Sequence, residues 1–215
     1  MNSADWDQRI DAFYADEFDE SDPVGAITRM RELVGERPDG DAAALFELAG
    51  VHDALGREHE AVDLYRQAIA AGLEGERAAR VHIQLASTLR NVGAAAEAVT
   101  ILESMPAGGV DDDARQAFLA LALFDQERYG DALRTALLAL VPTLDGYRRS
   151  LTDYAAELPS GRREPQPGSP APSATPSTAS TPSAAKRSAM RAATSAMVRS
   201  GSVSVRAPME ATSTS

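Results

Sequence analysis

The residues able to carry chemistry are few. There are three histidines, His52, His59 and His82, and no cysteine. Thiolate metal sites, disulfides and thiol catalysis are therefore excluded. A histidine metal site needs ligands converging on one face. His52 and His59 lie seven residues apart with Gly56 between them, so they need not share a helix face. No HExxH, phosphate-cradling GxxxxGK[ST], strand-borne GxGxxG or GxSxG run occurs. The Asp111-Asp112-Asp113 run reads as a helix start, not as a pair of general acid and base groups. Nothing has the form of a nucleophile, base and orienting group. The expectation is no enzyme, no cofactor and no metal. An enzyme with an unrecognised site is the weakest alternative.

What must be positioned is a set of helices. Apolar residues recur at spacings of three and four, and no alternating strand pattern is present. The spacing predicts helices near 4–15, 23–36, 41–55, 58–71, 76–92, 95–105, 111–126, 129–141 and 144–158. Asp22 followed by Pro23 is an N-cap with proline in the first turn, and acids at 39–41 and 111–113 mark two more starts. Stops fall at Gly56, Gly72, Gly93 and Gly108-Gly109. Residues 1–19 are acidic and lack the apolar stretch of a signal peptide. The longest apolar run, Phe118 to Phe124, is far short of the ~20 residues that cross a bilayer. A cytoplasmic setting without membrane contact is expected.

All eleven aromatics lie between Trp6 and Tyr154. Residues 159–215 hold 19 Ser or Thr, 8 Pro and 11 Ala, a composition that cannot bury enough apolar surface to order itself. We therefore expect one domain over 1–158 and a disordered tail over 159–215. Of the net charge of −11, the tail contributes +5 (seven Lys or Arg against two Glu), leaving −16 on 1–158. So acidic a domain disfavours nucleic acid. The basic tail could make weak polyanion contacts or neutralise its own domain.

Self-similarity is the strongest signal. Ala61, Ala98 and Ala132 are separated by 37 and 34 residues, and follow Gly56, Gly93 and Glu127 by five. Each is flanked by an acid and an aliphatic residue: Glu60 and Val62, Glu97 and Val99, Asp131 and Leu133. Sixteen to twelve positions earlier come Leu45, Leu48-Ala49; His82, Leu85-Ala86; and Gln116, Leu119-Ala120. The seams continue as Tyr65 and Ala68, Leu102 and Met105, Ala136 and Ala139. Small residues at crossings let antiparallel helices approach. Repeats of about 42–75, 79–112 and 113–146 follow. Trp6, Ile10, Phe13, Val24, Ile27, Met30 and Val34 suggest a degenerate fourth hairpin, joined by an acidic solvated linker at 16–22. At the other end Leu144, Tyr147, Leu151, Tyr154 and Leu158 form one stripe of a capping helix.

These matches, Leu48-Ala49…Gly56…Ala61…Tyr65…Ala68 and Leu85-Ala86…Gly93…Ala98, resemble the tetratricopeptide repeat family. The run from Gln84 to Gly93 resembles the short bacterial tetratricopeptide repeat group 5. The resemblance covers about 40–158 and implies an all-α, right-handed superhelix of antiparallel helix pairs that binds proteins or peptides. The large aromatic of the first helix is replaced by Leu45, His82 or Gln116, and the closing proline is absent. His52 falls where the repeat has a seam aromatic, so a partly buried structural role is expected for it.

First helices line the concave side of that fold. With Leu85, Leu89 and Val92 inward, Arg80, Gln84, Ser87 and Asn91 fall within about 60° of one another on the far side. Arg90 and Ile83 flank that stripe. The first repeat offers Phe46, Gly50 and Asp53 with Glu47 adjacent, and the third offers Ala117 and Leu121 with Phe124 at the edge. Amide side chains can pair with an extended backbone, Arg supplies a fork for carboxylate or phosphate, and an exposed Phe46 would anchor. The Lys and Asn that clamp chaperone C-termini in the family are replaced here by Phe46, Glu47 and Gly50, and 1–158 contains no Lys. The expected function is a non-catalytic scaffold whose partner is an unknown protein or peptide. The rival is weak homodimerisation through an apolar end, using Trp6 and Phe13 or the cap.

Overall fold

The computed structural model describes residues 3–109 and 111–161, and the expected tail lies outside them from residue 162 onward. Among the described residues the chain is helical, without a strand. The helices are α1 (Ser3–Ala12), which continues as a π-helical turn over Phe13–Glu17, α2 (Pro23–Val34), α3 (Ala42–Ala54), α4 (Glu58–Ala70) and α5 (Gly75–Asn91). They continue as α6 (Ala95–Ser104), α7 (Asp112–Asp125), α8 (Tyr129–Leu140) and α9 (Arg148–Ala156). Asp22 and Asp41 cap α2 and α3 by accepting the amides of Gly25 and Ala44, each at 3.0 Å, so the sequence-level start signals act as read.

The repeat shows in its turns. Gly56, Gly93 and Glu127 all take left-handed backbone angles, with φ of 72°, 83° and 61°. After each, the next residue's amide returns to the carbonyl five positions back: Arg57 to His52, Ala94 to Leu89 and Arg128 to Leu123. That is one helix-ending motif used three times. It reverses the chain, so α3 packs on α4, α5 on α6 and α7 on α8, with α4 against α5 and α6 against α7 between units.

Ala61, Ala98 and Ala132 are buried at these crossings. One apolar core runs from Phe46 through Tyr65, Leu89 and Leu102 to Leu123 and Ala132. A second is built by Trp6, Ile10, Phe13, Met30 and Leu33 against Ala44 and Val51. Helix α3 contributes to both cores, so it is covered on all sides, as expected for a helix lacking one polar face. Trp6 closes the N-terminal hairpin by donating from Nε1 to the Leu33 carbonyl at 2.8 Å.

Several expectations shift at the ends. Val24 is exposed and Leu33 takes the inner place. Ala136 is exposed and Ala139 half-buried, because the last unit has less to pack against. The final helix begins at Arg148 rather than 144, and Tyr147, left-handed at φ 63°, and Tyr154 are 89% and 67% exposed. Ala155, not Tyr154, is the buried residue of α9. The cause is a stitch from α8. Arg134 donates to the carbonyls of Ala155, at 3.1 Å, and of Leu158, while Asp131 accepts the Gly161 amide at 3.0 Å. Gly130 makes room, since a Cβ there would sit 1.9 Å from the Pro159 carbonyl oxygen. Ordered contacts thus run to Gly161, three residues beyond the expected domain end.

Candidate functional site

A cavity of about 340 Å³ opens between α1, α3 and α5. Helix α1 supplies Asp7, Ile10 and Asp11; α3 supplies Phe46 and Glu47; and α5 with its preceding residue supplies Glu74, Gly75, Glu76, Arg77, Arg80 and Gln84. Five carboxylates face two guanidinium groups, both of which are engaged. Arg77 reaches Glu47 Oε1 at 2.6 Å and Asp7 at 2.9 Å. Arg80 pairs with Glu76 at 3.3 Å and lies 3.9 Å from Asp111.

Among the described residues, two polar side chains in this wall keep atoms without a hydrogen-bond partner or ion pair. Gln84 is 3% exposed, and neither its amide nitrogen nor its amide oxygen is hydrogen-bonded. Glu47 Oε2 is likewise buried and unpartnered. Burial raises the Glu47 carboxyl above its ordinary range while Arg77 pulls it down. Burial works against the Arg77 charge, yet Glu47 and Asp7 hold that guanidinium above its usual value.

A model of the tetratrico peptide repeat family matches residues 42–158. The chain belongs to this family. No curated protein and no solved structure matches it. The match begins at the start of α3 and ends just past α9, so α1 and α2 stand before the matched repeats.

Within the tetratricopeptide array, most of the residues expected on an open groove are enclosed. Phe46 is buried and packs on Tyr65, ring centroids 6.0 Å apart, so it is no exposed anchor. Gly50 lies under Tyr14, whose hydroxyl sits 3.0 Å from where a Cβ would be and donates to the Glu47 carbonyl at 3.3 Å. Asp53, Ile83 and Ser87 are buried. Arg90 is nearly covered and ion-pairs with Asp125 of α7 at 2.7 Å, while Asn91 is half-buried at the end of α5. Leu121 is exposed as expected, at 46%, with Phe124 at 59%. The physical reason is a second layer of neighbours. Helical arithmetic locates the side away from a helix's own partner, but α5 also meets α3 and α7 there, and α1 covers the near end.

Of the expected set, the structure brings Phe46, Glu47, Arg80 and Gln84 together at the cavity. Missed were Asp7, Ile10, Asp11, Glu74, Gly75, Glu76 and Arg77. Arg77 had a usable signal, lying about 20° from Gln84 around α5 at 100° per residue. The α1 residues had none, since their place depends on how the N-terminal hairpin docks. Trp6 and Phe13 are buried, which removes them as a dimer surface.

The histidines are separate in character. His52 is buried with Nδ1 unpartnered, and burial lowers its pKa. His82 Nδ1 lies 3.2 Å from the Ala78 carbonyl, and His59 is exposed. Among the described residues no group of three His, Asp or Glu is arranged to hold a metal, and no helix is long and apolar enough to cross a membrane.

Proposed function

We propose that this tetratricopeptide repeat chain is a non-catalytic cytoplasmic scaffold that binds a protein or peptide on the side lined by its first helices. The observation that carries the reading is the cavity between α1, α3 and α5, where Gln84 and Glu47 Oε2 are buried without partners. Buried polar groups in native proteins are nearly always paired, and a ligand that completes these two would pair them. Leu121 and Phe124 on α7 are exposed and supply the apolar contact that this reading needs. The −16 charge on 1–158 argues against nucleic acid as the partner of the folded part.

The test is site-specific photocrosslinking in cells with the full chain. A crosslinker at Leu121 is expected to capture a discrete partner, and one at Arg66, exposed on α4, is expected to capture none. Capture from Arg66 alone would move the site to the outer helices. A second reading, weak homodimerisation, is favoured by exposed Leu133, Leu138 and Leu140 on α8 and Tyr154 on α9. Light scattering over a concentration series separates it, since only this reading gives a dimer without a partner.

A further inference from the structure

We infer that the α1–α3–α5 cavity receives the guanidinium of an arginine side chain carried by an extended segment of another protein, with the Gln84 amide pairing with the segment's backbone. The inference rests on the first-helix binding reading and deepens it.

Charge decides the class of ligand. Both wall cations are already held by carboxylates, Arg77 by Glu47 and Asp7 and Arg80 by Glu76. Among the described residues Asp11 and Glu74 at the cavity carry no ion pair, and Glu47, held by Arg77 and facing the Tyr14 hydroxyl, keeps Oε2 without a hydrogen-bond partner. An incoming carboxylate would meet this surplus of negative charge, whereas a cation neutralises it. A planar guanidinium suits two carboxylates at once, because its five N–H donors form a fixed fork. The cavity, about 340 Å³, lies within the ~300–1,000 Å³ of small-ligand sites, room for one long side chain rather than a folded element.

Gln84 decides the backbone part. A primary amide offers both donors and an acceptor, and here both ends are unused. A peptide group is the ligand that complements both ends with one unit. The amide is also a standing destabilisation, since an unpaired buried polar group is worse than an apolar one of similar shape. Its presence beside unpaired Glu47 Oε2 points to an absent partner rather than to packing.

The test uses the full chain and a fluorescent pentapeptide, Gly-Ala-Arg-Ala-Gly, with analogues carrying citrulline or glutamate in place of arginine. Fluorescence anisotropy is expected to rank arginine at least about tenfold tighter than citrulline, with glutamate weakest. Asp11→Asn, an exposed change that spares the core, is expected to weaken the arginine peptide several-fold. Gln84→Leu is expected to weaken all three peptides together and leave their order unchanged, while raising Tm by about 2–4 °C, a gain that a purely structural glutamine would not give. Glutamate binding as tightly as arginine, failure of all three peptides, or loss of stability in Gln84→Leu each overturns the inference. If those failures coincide with partner capture from Leu121, the scaffold reading stands without the cation site. Neutralising the seven Lys and Arg of 159–215 is expected to leave affinity unchanged. Tightening would overturn the external source and assign the cavity to the chain's own basic tail.

Discussion

Arg77 Nε donates to Glu47 Oε1 at 2.6 Å, tying α5 to α3 across two repeats. The same guanidinium reaches Asp7 on α1 and lies 5.5 Å from the centre of the Trp6 ring. One side chain thus joins the N-terminal hairpin to the repeat array. Breaking a buried pair from one side leaves the other charge unanswered and typically costs about 3–5 kcal/mol. We expect Arg77→Met to lose stability of that order and Glu47→Gln to lose less. The double variant should recover part of the Arg77→Met loss in urea unfolding. Equal and additive losses would mean that the pair is not coupled.

Glu127 occupies the turn position that Gly56 and Gly93 fill in the other two repeats, at φ 61°. A side chain there carries a left-handed penalty of roughly 1 kcal/mol or more, which glycine avoids. Glu127→Gly should therefore raise stability by up to about 1 kcal/mol in chemical denaturation, while Gly93→Ala should lower it.

Ala98 has no exposed surface and lies in the core between α5, α6 and the next repeat. Ala98→Leu should overpack that seam and cost roughly 1–3 kcal/mol. Ala70, exposed at the end of α4, should tolerate the same change with a small effect. The comparison is one of melting temperatures for two variants of identical composition.

Asp53 gives the chain a pH dependence. Its burial pushes the carboxyl up to about 7 from an ordinary 3.8, with Thr88 and Tyr65 pulling the other way. Between those values the folded protein holds a proton that the unfolded chain has released, so stability falls as pH rises from about 4 to about 7 and is level above. Glu47, also raised, acts in the same sense. The decline attributable to Asp53 is on the order of 2–4 kcal/mol. Asp53→Asn should flatten the profile between pH 5 and 8 and stabilise the chain most at pH 8. A profile unchanged by the substitution would remove Asp53 as its source.

The helices, their caps at Asp22 and Asp41, the three matching turns and the crossing alanines were all determined by the sequence. They depend on local backbone chemistry and on spacings along one helix, and these are periodic in the chain. Ala61, Ala98 and Ala132 could be aligned because each meets a partner from its own hairpin. The binding side could not be read this way. Phe46 and Asp53 were expected on the side away from α4, yet both meet Tyr65 of that helix, and Gly50 and Ile83 are buried with them. The same packing set Asp7 and Asp11 opposite Arg77 and Gln84, although 66 or more residues separate them. It also moved the inner face of α9 from Tyr154 to Ala155 through the Arg134 stitch. Periodicity along a helix records where its nearest partner lies. Which of its remaining faces meets solvent, and which closes a cavity, is decided by where other helices dock, and that information resides in no single stretch of the chain.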